Sequence, residues 1–295
     1  MGANLKEVRE RIKSVISTQQ ITKAMKMVSA AKLRRAQTAI TQLRPYAGKL
    51  NSMLVNIMSN LDGDSDTVYG IQRPVEKVLI VIVTSNRGLA GAFNSNVIKA
   101  ATGRIDMMFK EQRAKGNLSF LCIGKKGADY VKRHFPDCEL ITEHVALFND
   151  LSFDKVAAVA TEIMQGFASK QYDLVEVSYS RFKNAGMQFA EIEQFLPVAK
   201  LEVKGKKTRA DYIFEPDQAE LLEYLIPSIL QTSFQKFLLD THASEHGARM
   251  TAMDKATENA DGLLTDLKIH YNKARQEAIT KELSEIVGGA AALGG

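Results

Sequence analysis

Residues 216–287 make a stretch of about 70 residues whose one interior proline is Pro227; at 1.5 Å of rise per residue a continuous helix of that length is roughly 105 Å long. A helix of that length cannot bury itself in an ordinary globular domain. It must pair with another long helix or lie inside a partner. The chain offers both: a second helical stretch at its N-terminus, and a tip without charge (Ile286, Val287, Gly288, Gly289, Ala290, Ala291, Ala292, Leu293). The expectation is a rod with an apolar end.

The N-terminal stretch, residues 4–61, reads as the partner helix by its periodicity. Leu5, Val8, Ile12 and Val15 step by three and four. The same stepping runs through Ala36, Ile40, Leu43, Ala47, Leu50, Leu54, Ile57 and Leu61, the two-position seam of a coiled coil. Between Val15 and Ala36 the apolar phase slips, which reads as a stutter that locally unwinds a supercoil. Pro45 is expected to kink this helix without ending it, because the seam continues on both sides. The last helix carries a matching seam at Ala260, Leu264, Leu267, Tyr271, Ala274 and Ala278, and small residues from 244 to 262 permit close helix–helix approach. Two terminal helices separated by a compact domain must run antiparallel if they pair, and the longer one protrudes by roughly 20 Å.

Charge is distributed unevenly. Residues 1–50 hold eleven basic and two acidic side chains, whereas residues 216–287 hold seven basic and twelve acidic. The helices attract one another modestly, and the excess positive charge must face something acidic, a nucleic acid or a protein loop. No run approaches the ~20 apolar residues that span a bilayer, and the start lacks the pattern of a secretory signal. Cys122 and Cys138 have no metal-ligand spacing and read as reduced core thiols.

Between the helices, residues 75–199 read as a separate Rossmann-like α/β domain. Residues 77–84 are a continuous β-branched run, the mark of a strand buried on both faces. A helix over 94–115, a strand at 118–123, a helix at 125–134, a strand at 140–145 and a helix at 153–170 follow. Strands at 174–179 and 189–195 flank the turn Lys183, Asn184, Ala185, Gly186. This alternation predicts a mostly parallel, doubly wound sheet whose last pair is an antiparallel edge. The fold class is therefore α/β plus a long antiparallel coiled coil, with 1–61 and 216–295 as the rod and 75–199 between them. Residues 62–66 and 200–215 are the links.

Two local patterns invite a chemical reading. Residues 84–94 follow a strand and open a helix, as a phosphate-binding loop does, but the glycines are spaced G-x-x-G and lack either dinucleotide or P-loop spacing. A tight turn that needs glycine's backbone freedom is the favoured reading. His242 and His246 stand at i, i+4, the spacing of two zinc ligands on a helix, with no third ligand evident in the sequence. No nucleophile has a visible catalytic partner. The residues alone point to a noncatalytic scaffold without cofactor, or to a basic coiled coil that binds nucleic acid, which would lose affinity steeply with salt.

Residues 18–33 (TQQITKAMKMVSAAKL) with Arg44, Pro45 and Tyr46, and residues 271–290 (YNKARQEAITKELSEIVGGA), resemble the two ends of the gamma subunit of F-type ATP synthase. Residues 85–91 (SNRGLAG) resemble that family's central domain, and residues 212–217 (YIFEPD) its entry to the last helix. The resemblance covers essentially the whole chain but lacks the cysteine-bearing insertion of the chloroplast form, so no thiol switch is expected. It implies a noncatalytic central rotor shaft, one copy per complex, inside three alpha and three beta subunits. The foot would rest on the c-subunit ring and hold epsilon, so that proton flow drives ATP synthesis on beta. The resemblance further implies that the membrane is touched only through partners, peripherally, at the cytoplasmic side of a bacterial inner membrane, and that nucleic acid has no part. The resemblance places Lys23, Met25 and Lys26 against an acidic loop of beta, with Arg275, Gln276 and Thr280 as polar catches at the same level. Ile286, Val287, Ala290, Ala291 and Leu293 would turn in an apolar sleeve. Phe214 and Glu215 would lie near the c ring and epsilon.

Overall fold

The computed structural model describes residues 5–60, 68–198 and 218–293. Its elements in chain order are α1 (Leu5–Asn60), β1 (Val78–Val83), α2 (Phe93–Met108), α3 (Lys110–Ala114), β2 (Leu118–Ile123), α4 (Lys125–His134), β3 (Glu139–Ile141), α5 (Phe153–Ala168), β4 (Leu174–Asn184), β5 (Met187–Leu196) and α6 (Gln218–Leu293), with a 3-10 turn at Leu147–Asn149. The chain divides into two compact units. One comprises Met1–Ser29 with Met250–Gly295, the other Ala30–Arg249. Both α1 and α6 contribute to each, and α1 continues through Pro45.

The first unit is an antiparallel helix pair. As positions on α1 fall from Lys26 through Thr22 and Gln19 to Arg9, their hydrogen-bond partners on α6 rise from Asp254 through Thr257 and Asp261 to Tyr271. The less exposed positions of α1 include the series Val8, Ile12, Val15, Gln19, Thr22, Lys26 and Ser29; those of α6 include Met253, Thr257, Ala260, Leu264, Leu267, Tyr271, Ala274 and Ala278. Both sets alternate steps of four and three. The expected stutter is therefore absent. Val15 and Ala36 lie a whole number of heptads apart, and from Gln19 to Ser29 the seam is occupied by polar side chains that a search for apolar periodicity passes over.

The second unit is built on a five-stranded sheet of order β3-β2-β1-β4-β5. The first four strands are parallel and β5 is an antiparallel edge, as the alternation of elements predicts. Every residue of β1 is buried, and its side chains divide by parity. Leu79, Val81 and Val83 join the core formed with α5 and with Leu225, Leu230, Phe234 and Phe237 of α6. Val78, Ile80 and Ile82 join the core formed with Val97, Ala101 and Ile105 of α2 and Val131 of α4. A strand covered on both faces needs no polar side, which is why it reads as an unbroken apolar run.

Three local expectations are corrected. The helix expected over 94–115 breaks at Phe109, which leaves helical geometry (φ −124°, ψ 21°) and buries its ring in the α2-side core. The strand expected over 140–145 is only three residues long, because Val145 N–H turns back to donate to Thr142 O. The last two strands extend further than expected into a hairpin, where Asn184 Oδ1 accepts from the N–H groups of Gly186 and Met187. The links at 62–66 and 200–215 lie outside the described residues.

Candidate functional site

The helix pair owes its geometry to its polar seam. Thr22 and Thr257 hydroxyls meet at 2.8 Å, and Gln19 bonds Asp261. Lys26 pairs with Asp254 while its side chain keeps 42% of its exposure. Arg9 donates to the Tyr271 hydroxyl at 2.8 Å, with its guanidinium 5.7 Å from the ring centre. Directional partners fix register and orientation where apolar layers alone would permit a slip.

That register corrects one expectation. Lys23 lies beside the Thr22–Thr257 contact, whereas Arg275 follows Tyr271 at the Arg9 level. At 1.5 Å per residue the two sets are about 27 Å apart along the axis, so they form two levels. Lys23 is exposed, Met25 and Lys26 are half-buried, and Arg275, Gln276 and Thr280 are exposed. Within this unit it is the C-terminal end of α6 that runs free. The seam stops at Ala278 and α6 continues to Leu293, a further length of about 23 Å. Residues 281–290 are all exposed. Ile279, Leu283, Ile286 and Val287 present large apolar side chains to solvent, the last two at 67%. Ala290 is exposed, and Ala291 and Leu293 continue the helix. No charged side chain follows Glu285. Phe214 and Glu215 lie outside the described residues.

In the second unit the loop at 84–94 is a structural turn. Leu89 and Gly91 take positive φ (62° and 57°). Asn94 Oδ1 accepts from the Ser85 N–H at 2.9 Å, and Asn86 Oδ1 from the Lys125 N–H at 3.0 Å. The carbonyls of Arg87 and Gly88 face a cation, accepting from Arg249 Nη2 at 3.1 and 3.2 Å. A phosphate cradle would present amide N–H groups instead. Arg249 also pairs with Glu245 in a nearly buried ion pair. Sequence reasoning missed this latch; its one signal is an unusual density of polar residues within the buried part of α6.

His242 and His246 do converge, Nε2 to Nε2 at 3.0 Å, with Phe148 stacked on His242. Burial first, then the charges of Lys32 and Arg249, pushes the His242 imidazole down to about 4. Burial, the neighbouring ring and the same cations push His246 down to about 3. Both rings are neutral at pH 7, and one ring N–H donates to the other ring's nitrogen. Among the described residues the group with metal-ligand proximity is Glu143, His144 and Glu162, whose ligand atoms lie within 4.8 Å of one another. Glu143 and Glu162 are exposed, and His144 and Glu162 form an ordinary imidazole–carboxylate contact of 2.8 Å. Among the described residues no helix is long and apolar enough to cross a membrane.

Comparison with known proteins agrees with this architecture. A family model described as ATP synthase matches residues 4–293. The ATP synthase gamma chain of Cytophaga hutchinsonii is 52% identical over 98% of this chain and 99% of its own length. That of Flavobacterium johnsoniae is 51% identical over 99% and 100%, and that of Chlorobaculum tepidum 42% over 98% of each. Among solved structures, the central stalk and c-ring of the Tetrahymena thermophila mitochondrial ATP synthase contains a chain with TM-score 0.57 at 25% identity, covering 80% of this chain and 99% of that one. A chain of the Euglena gracilis mitochondrial enzyme in rotational state 3 gives 0.68 at 23% identity, covering 98% and 94%, a likeness of fold. A family model that covers residues 4–293 and half the residues identical from end to end have one explanation: the chain belongs to the ATP synthase gamma chain family.

Proposed function

We propose that the chain is the noncatalytic central rotor shaft of an F-type ATP synthase, coupling proton flow through a c-subunit ring to ATP synthesis or hydrolysis on beta subunits. The observation that carries this reading is end-to-end kinship with gamma chains, at 52% identity over 98% of the chain. The physical account is differential binding: a shaft of unequal faces shifts a surrounding catalytic site only by favouring one of its conformations at each angle. The segments 1–61 and 216–295 are proposed to supply the shaft, and 75–199 the foot.

Lys23, Met25 and Lys26 are proposed to meet an acidic loop of beta, and Arg275, Gln276 and Thr280 to meet beta at the second level. Lys26 is already paired with Asp254, so Lys23 is the freer cation of the first set. Ile286, Val287, Ala290, Ala291 and Leu293 are proposed to turn in an apolar sleeve, where a directional bond would act as drag. Phe214 and Glu215 are assigned to the c ring and epsilon by family position alone. One copy would stand among three alpha and three beta subunits, with epsilon at the foot, peripheral to the cytoplasmic side of a bacterial plasma membrane. The nucleic-acid alternative finds no support in the comparisons. The test is affinity purification of the tagged chain from its own membranes. Recovery with two larger subunits in threefold excess supports the reading, and recovery without them refutes it.

A further inference from the structure

The segment of α6 from Thr241 to Arg249 is mostly buried, yet it is lined with groups that bond main chain. Thr241 Oγ1 accepts from the Ser180 N–H at 3.2 Å, and Ser244 Oγ donates to Ser180 O at 3.1 Å. Both hydroxyl residues are fully buried. The last pair between β1 and β4 is Ile82 with Ser178, so at Ser180 the β1 side of β4 has run out of ladder and the helix takes over. One turn on, Gly247 presses against the β4–β5 hairpin: a Cβ there would stand 3.2 Å from Ala185 Cα and 3.3 Å from Ala185 O. Arg249 then reaches the carbonyls of Arg87 and Gly88 in the β1–α2 loop, held by Glu245.

We infer that Thr241, Ser244, Gly247 and Arg249 are the torque-bearing clutch of the molecule, the place where force passes between the sheet and α6. The proposal rests on the rotor reading. Apolar packing is non-directional, so a greasy helix face can be displaced along its groove by changes of rotamer. Bonds to fixed main-chain atoms of β4 and of the β1–α2 loop, with a steric stop at the hairpin, hold both the rotation and the axial position of α6. The seat is the physical opposite of the exposed end of the same helix, which is apolar and makes no such bonds. These are positioning residues: they touch no reacting atoms.

The test uses the assembled complex in inverted membrane vesicles, with proton pumping and ATP hydrolysis measured together. Arg249→Met, and Thr241→Val with Ser244→Ala, are expected to lower protons pumped per ATP hydrolysed at least twofold while hydrolysis stays within twofold of the parent. Arg249→Lys should recover part of the ratio. A parental ratio in both variants overturns the proposal. Should they fail to assemble, a milder variant decides: Ser244→Ala alone, which removes the hydrogen bond to Ser180 O. It is expected to lower the same ratio by a smaller amount, and a parental ratio in it overturns the proposal. Parental vesicles that hydrolyse ATP without pumping would instead sink the rotor reading.

Discussion

Replacing Ile286 and Val287 with glutamine should leave the isolated chain as stable as before and weaken its hold on its partners. Both side chains are 67% exposed, and the seam ends before them, at Ala278. Full burial of a valine or isoleucine side chain contributes about 1.5–3 kcal/mol. With two-thirds of each side chain still in water, enclosing the pair in an apolar sleeve is worth about 2–4 kcal/mol. Glutamine is a good helix former, so the backbone of α6 loses little. At 1.4 kcal/mol per tenfold, the variant should bind an immobilised alpha–beta assembly roughly 30- to 700-fold more weakly. Its unfolding midpoint, followed by circular dichroism, should stay at the parental value. Unchanged affinity would refute the enclosed end. A fall in the isolated chain's own stability would show that the end is covered from within.

Other outcomes follow from the second unit. Glu176 is buried in β4 and is held by Arg104 through two nitrogens, at 2.6–3.0 Å; Arg104→Met should cost about 3 kcal/mol by stranding a charge, and adding Glu176→Gln should recover most of it in urea unfolding. Gly124 takes φ 98°, and a Cβ there would stand 1.9 Å from Thr84 O, so Gly124→Ala should cost more than about 4 kcal/mol. Gly103→Ala, in α2 with nothing within 4 Å of the added carbon, should gain about 0.5–1 kcal/mol. The imidazoles of His242 and His246 sit below the ordinary value. The unfolded chain therefore binds protons more readily, and stability present above pH 6.5 is lost on acidification toward pH 4, by about 3 kcal/mol for each imidazole. His242→Gln with His246→Gln should flatten that slope in unfolding measured across the window. Burial raises the Asp240 carboxyl to about 6, against the pull of Lys236, Arg44 and Arg181. It works with the opposite sign: stability is lost as pH rises through 6, and Asp240→Asn should stabilise the chain at pH 7.

What the sequence revealed follows from where its information is local. The β1 run declared a doubly covered strand because both of its faces are apolar. The free end of α6 was legible for the same reason, since a charge-free stretch after Glu285 is visible without any partner. The seam from Gln19 to Ser29 was misread because a hydrophobicity pattern records only apolar layers, and here threonine, glutamine and lysine occupy them. The break at Phe109 depends on a tertiary core that draws the ring out of the helix. The Arg249 latch joins residues more than 160 positions apart through main-chain carbonyls, which carry no side-chain signature. Small residues near Gly247 did announce a close approach, but the neighbour is a hairpin and not a helix.

The central claim is that this chain turns within a fixed ring, and observed rotation tests it most directly. Met107 is 82% exposed on α2, and burial pushes the native thiols of Cys122 and Cys138 up to about 12 and 11, so Met107→Cys offers a selective attachment point for a bead. With the alpha–beta ring anchored to glass, adding ATP should drive the bead in one direction in discrete steps. A bead that stays fixed while the same complexes hydrolyse ATP would contradict the account.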